Sequence, residues 1–152
     1  INRLPRPSPT RSGNGQPKKP EDRSQQGAVS PAKRLKLVRH MLRQGNGCQA
    51  LGQLKQMPAE AARPFQPLAQ FLCDGEQGKL NGPGDIDIAA RQAAGAIRQA
   101  EYDTALYNLM VVHHANPTYR QGQIKAIMSG LLDALGDQHP SVPAYRQQLA
   151  SM

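Results

Sequence analysis

Residues 86–117 read IDIAARQAAGAIRQAEYDTALYNLMVVHHANP, and they decide the fold. Ile86, Ala89, Ala90, Ala93 and Ile97 fall at i, i+3, i+4, i+7 and i+11, which is one apolar stripe on a helix. Tyr102, Ala105, Leu106, Leu109 and Val112 repeat the pattern. Only Arg98, Gln99, Ala100 and Glu101 join the two stripes, so the second helix must turn back against the first. A third stripe follows at Ile124, Ile127, Met128, Leu131, Leu132 and Leu135. Gly136 stands where a left-handed helix cap is expected, and Pro140 blocks continuation.

The first pair obeys the small-residue logic of a helical repeat, because two helices pack closely only where small side chains meet. Ala93 and Ala105 are twelve apart, Tyr102 precedes Ala105 by three, Leu109 follows it by four and Pro117 by twelve. This spacing resembles the 34-residue tetratricopeptide unit. Gln92 stands where that unit usually has Leu, and Ala89 replaces its Trp. The alternative is a generic helical hairpin with an alanine-rich seam.

Working outward, residues 1–30 hold almost no apolar side chains beyond Ile1, Leu4, Ala28 and Val29, and are rich in Pro and Gly. Such a segment cannot bury enough surface to offset its ordering entropy, so residues 1–30 are expected to be a disordered basic tail or linker. Residues 31–152 are expected to be the helical domain. Ser30 and Pro31 form a helix start, a hydroxyl cap followed by Pro in the first turn. Leu35, Val38, Met41 and Leu42 are the apolar side of that helix, and Gly45-Asn46-Gly47 breaks it. Ala50, Leu51, Leu54 and Met57 continue as a second helix ended by Pro58, a first hairpin with Val38 and Ala50 at the twelve-residue spacing. Phe65, Leu68, Ala69 and Leu72 share one face of the next helix. The glycines from Asp74 to Asp85 read as a flexible loop. Ser141 is placed to cap a last helix, with Val142, Tyr145 and Leu149 facing inward. Aromatics make up 4 % of the chain, so the core must come from Leu, Ile, Val, Met and Ala, and no window alternates as a strand would. The expected fold is all-α, with about six to seven helices in stacked, tetratricopeptide-like hairpins.

The net charge of +8 is localised. Residues 1–43 hold eleven Lys/Arg and two acids, a net +9, and residues 44–152 are near neutral at −1. One reading puts Lys18, Lys19, Lys33, Arg34, Lys36, Arg39 and Arg43 on the phosphates of a nucleic acid or ribosome. No aromatic residue is interleaved with the helical cations for base stacking, and no recognised nucleic-acid motif is present, so a solvated basic face is the plainer reading. No run approaches the roughly 18 apolar residues of a membrane span. Nor is there an apolar leader behind the N-terminus. The chain begins with Ile rather than Met, which points to a fragment or processed product. Cys48 and Cys73, 25 apart, form neither a redox pair motif nor a zinc pair, and read as two reduced, core-facing thiols of a cytoplasmic protein.

There is no P-loop, dinucleotide fingerprint or zinc-protease helix in the chain. His113 and His114 are neighbours pointing about 100° apart on a helix, poor joint ligands for one metal. His40 and His139 have no acidic or thiol neighbour at ligand spacing. Asp85 and Asp87 sit in a first turn, where carboxylates favour the helix dipole. The sequence therefore predicts a non-catalytic protein-binding module with no metal and no cofactor. Tyr107, off the main stripe of its helix, is the residue expected to face a groove.

The order of these elements carries a resemblance. An Ala-rich helix is followed by Tyr102-x-x-Ala105-Leu106, then a helix ending Leu131-Leu132-Asp133-Ala134-Leu135-Gly136, then His139-Pro140 and Tyr145-Arg146-x-x-Leu149. This resembles the C-terminal end of the bacterial thioredoxin/tetratricopeptide fusion co-chaperones, the chaperedoxins. Leu54 to Pro58, with Glu60-Ala61-Ala62-Arg63, resembles a shorter element of the same domain. The likeness spans residues 33–152 and is strongest from Ala89 onward; its motifs are packing motifs. It implies a cytoplasmic, helical, stress-related protein that binds unfolded clients and hands them to larger chaperones. Their thioredoxin-like domain is absent from these residues, so the resemblance implies no redox activity here, and it makes the tail the linker that follows such a domain.

Overall fold

The computed structural model describes residues 30–152. The tail expected over residues 1–30, with Lys18 and Lys19, lies outside the described residues except for Ser30. The chain divides after Arg34 into two units. In the first, Ser30 Oγ accepts the Lys33 N–H at 3.2 Å, so the hydroxyl caps the helix as its position predicts. The second unit, Leu35–Met152, is the helical body.

The helices are α1 (Pro31–Arg43), α2 (Gly47–Leu54), α3 (Ala59–Ala62), α4 (Gln66–Glu76), α5 (Asp85–Arg98), α6 (Tyr102–Ala115), α7 (Ile124–Leu135) and α8 (Val142–Ala150). A 3-10 turn, Tyr119–Gly122, precedes α7. No strand occurs among the described residues. The fold is all-α, and the helix beyond the expected six to seven is the single turn α3.

α5 and α6 are a close hairpin. Ala93 and Ala105 are both fully buried there, where a larger side chain on either helix would push the pair apart. Their turn closes as a Schellman motif: Glu101 N donates to Ala96 O at 2.8 Å and Ala100 N to Ile97 O at 3.0 Å. The motif needs a left-handed residue, and Ala100 takes that role at φ 61°. A side chain in that region costs about 1 kcal/mol. Gly45 (φ 79°) and Gly78 (φ 73°) close α1 and α4 with the same pair of bonds and without that cost.

α7 is the centre of the body and packs on α4, α6 and α8. Ile124, Ile127, Met128, Leu131 and Leu132 are fully buried, while Leu135, the last of the expected stripe, is only partly so. The crossing on α4 is set by Gly130. A Cβ there would lie 2.9 Å from Pro64 O and 3.2 Å from Leu68 Cβ. Gly136 does take a positive φ (87°), but its ψ of 155° is extended rather than left-handed helical.

The first hairpin is paired differently from its expected form. Val38 and Ala50 are both fully buried. Yet the main packing partner of α2 is α4. Gly47 is the reason. A Cβ there would collide with Cys73 N and Leu72 Cβ, and lie 2.6 Å from Ala69 O, so only a glycine lets α2 come this close to α4. α1 instead meets the far end of the body: Tyr102 Oη donates to Arg43 O at 2.7 Å, and Arg43 Nη1 donates to Ala134 O at 2.8 Å.

That approach also corrects the reading of the cysteines. Cys48 and Cys73, expected as reduced thiols, have Cα atoms 4.4 Å apart and form a disulfide. Closing a loop of 25 residues removes about 3.5 kcal/mol of chain entropy from the unfolded state. Cys48 N also donates to Glu76 Oε2 at 2.9 Å, a second tie between α2 and α4.

Two further expectations change. The loop read from Asp74 to Asp85 begins later, because α4 runs to Glu76, and it is tied to α5. Leu80 is buried, and Arg91 Nη1 donates to Leu80 O (2.7 Å) and Gly82 O (2.8 Å). Ser141 occupies the cap position of α8 but makes no capping bond, since its hydroxyl is spent on the Asp103 carboxylate. Asp87 does act at its helix start, accepting from Gly84 N at 3.3 Å.

Two alanine substitutions separate the roles of helical glycines. Gly47→Ala is expected to lose about 1–3 kcal/mol, since backbone atoms and a Cβ must move. Gly95→Ala, with nothing within 4 Å of the added Cβ, is expected to gain about 0.5–1 kcal/mol from helix propensity. Denaturant unfolding of both variants checks this; equal shifts would contradict the packing account.

Candidate protein-binding surface

α6 carries apolar residues on two faces. Ala105, Leu106, Leu109 and Val112 are fully buried in the body. Tyr107, Met110, Val111 and His114 fall at i, i+3, i+4 and i+7, so they share one face. This second stripe, with Ala115, lines an open depression of about 450 Å³. Tyr107 is 62 % exposed and Val111 39 %. Exposed large apolar side chains gathered on one helix face are the mark of an interaction surface. A tyrosine at its head suits binding, since the ring offers area at low entropic cost and the hydroxyl stays wet.

The sequence-derived residues divide between this face and the packing beneath it. Tyr107 lies on the face. Ala93, Ala105 and Leu109 are core, and Tyr102 is partly buried with its ring edge-on to His139 at 5.7 Å. Burial raises the Tyr102 phenol above its ordinary pKa, with Arg43 opposing. Pro117 is exposed just beyond α6. On the sequence alone His114 is considered only as a metal ligand, and Met110 and Val111 are passed over, although their spacing from Tyr107 carries the signal.

The basic residues of α1 are not one free cationic face. Lys33 and Lys36 are exposed. The Arg39 guanidinium instead lies 6.0 Å over the Phe65 ring, and Arg43 binds the end of α7. Phe65 and Phe71 are core, whereas Tyr119 is partly buried and donates to Asp87 Oδ1 at 3.3 Å. Burial first, then Asp87, raises the Tyr119 phenol.

No group of His, Cys, Asp or Glu among the described residues is arranged to hold a metal. No helix among them is long and apolar enough to cross a membrane. His113 and His114 meet edge-to-face at 5.9 Å. His113 Nδ1 is buried without a hydrogen-bond partner. Burial, and then the charges of His114 and Lys125, lowers its pKa below the ordinary value. A histidine harder to protonate folded than unfolded leaves stability intact above about pH 6.5 and erodes it as pH falls through that range. Thermal midpoints should therefore drop on acidification, and His113→Gln should flatten the drop. An unchanged slope in the variant would remove His113 from the account.

Comparison with known proteins gives one match. The family model described as Tetratricopeptide repeat matches residues 76–152, just over half of the 152 residues. The match covers α5 through α8, and with them the whole of the Tyr107 face. Nothing matches among curated proteins or among solved structures. The hairpin with alanines at its crossing and the family match over that hairpin agree: the chain belongs to the tetratricopeptide repeat family.

Proposed function

We propose that this protein-interaction module works as a co-chaperone, holding an apolar segment of an unfolded client against the outer face of α6. The observation that carries the reading is that Tyr107, Val111 and His114 are exposed, with Met110 partly buried beside them, on the face of α6 opposite its core stripe. A client that has lost its fold exposes short apolar runs, which that stripe shields from water at about 25 cal/mol per Å² buried. The likeness to the thioredoxin/tetratricopeptide co-chaperones supports the same partner. No reaction is assigned to the chain.

The test uses a reduced, carboxymethylated reporter protein that stays unfolded. The chain is expected to bind it, and Tyr107→Glu to lose most of that binding while melting as the parent does. Binding should persist at high salt, where contacts to nucleic-acid phosphates would weaken steeply. Undiminished binding by the Tyr107 variant would overturn the reading.

The disulfide bears on where this happens. Cys48–Cys73 supports an oxidising compartment rather than the cytoplasm expected from the sequence. Alkylation of the native protein before lysis should leave both cysteines unmodified. Modification of both in most molecules would restore the cytoplasmic placement.

A further inference from the structure

A second concave surface lies away from α6, on elements the Tyr107 reading does not use. It is a groove of about 370 Å³ between α2, the α3–α4 corner and the residue before α7. Leu51, Leu54 and Pro67 give it apolar walls. Lys55 and Arg63 supply cations, and both are exposed. Gln70 and Gln123 add amide groups.

The charge in this groove is of one sign. No carboxylate lines it. Among the described residues, neither Lys55 nor Arg63 has an acid within ion-pair distance. Glu60, three residues before Arg63, makes no pair with it. Asp74, bonded to the lining residue Gln70 (Nε2 to Oδ1, 2.9 Å), is already paired with Arg120 at 2.9 Å. Glu76 is engaged by Cys48 N. Of the cations in residues 44–152, only Arg120 and Arg146 form ion pairs among the described residues, and Lys55 and Arg63 stand together beside one apolar wall.

The groove's far rim is built on a strained turn. Arg120 (φ 51°) and Gln121 (φ 63°) are both left-handed without being glycine, and Gly122 follows at φ 78°. Each such non-glycine residue costs about 1–2 kcal/mol. The Arg120 ion pair to Asp74, and its guanidinium 5.5 Å from the Phe71 ring, hold the turn in place. Gln123, the next residue, lines the groove.

We propose that this groove binds an acidic peptide segment, with an apolar side chain seated on Leu51, Leu54 and Pro67 and carboxylates paired with Lys55 and Arg63. The charge complementarity selects the occupant. An apolar client alone would leave both cations unused, and a basic segment would be repelled. Gln123 lines the groove beside the two cations, while the Gln70 amide is held by Asp74.

The test is fluorescence anisotropy with a labelled peptide of glutamates interrupted by leucines. It should bind the disulfide-intact chain, and Lys55→Glu with Arg63→Glu should weaken it about tenfold or more. The neutral pair Lys55→Gln and Arg63→Gln should give a smaller loss, and thermal melts show that both variants fold. Tyr107→Glu should leave this binding unchanged, which separates failure here from failure of the α6 reading. Equal binding of a leucine/lysine peptide, or no loss on charge reversal, would overturn the proposal. So would tighter, leucine-independent binding of a single-stranded oligonucleotide, which would make the groove a phosphate site.

Discussion

Helices in this protein touch at backbone distance, and the rest of the structure follows from that constraint. With no tryptophan and few aromatic rings, the core cannot be filled by large side chains spanning wide gaps. Helix axes must come close, and close approach needs residues with little or no side chain at the crossings. Gly47 supplies it for α2 on α4, Gly130 for α7 on α4, and Ala93 with Ala105 for α5 on α6. The same closeness at Gly47 brings Cys48 and Cys73 within disulfide range. One steric fact therefore fixes both the packing of the first half and its covalent link.

Function is displaced onto what this packing leaves over. α7 is consumed by the core. α6 has more apolar residues than the core can cover, so a stripe of them faces water. α2 and α4, drawn together by Gly47, leave a groove beside the α3 turn rather than a continuous surface. The two surfaces differ in chemistry, one apolar with a tyrosine and a histidine, the other apolar with two cations. They lie on different elements.

Several charged and polar side chains that look available in the sequence are structural. Arg43 ties α1 to α7, Arg91 holds the loop before α5, and Arg120 anchors a left-handed turn. Arg146 pairs with Asp133 at 2.7 Å and fastens α8 to α7. Its guanidinium pKa is raised chiefly by that hydrogen bond. Arg43 and Arg120 reach residues 91 and 46 positions away, and Arg91 and Arg146 reach beyond their own helices, so no periodicity within one helix announces these contacts.

The sequence by itself determined the helices and their inward faces. Periodicity is a local property, and Ile124 to Leu132, Ala90 to Ile97 and Tyr102 to Val112 carry it without ambiguity. It also showed Tyr107 lying off its stripe, because that too depends only on spacing along one helix. The tertiary structure decided which helices pair. Gly47 reads in the sequence as a chain breaker, and only the position of α4 across from it shows that its missing side chain is the contact. The disulfide, the partner of α2 and the groove at Lys55 and Arg63 depend on distances between segments tens of residues apart. Those distances are set by side-chain volume at the crossings, and no spacing along the chain encodes them.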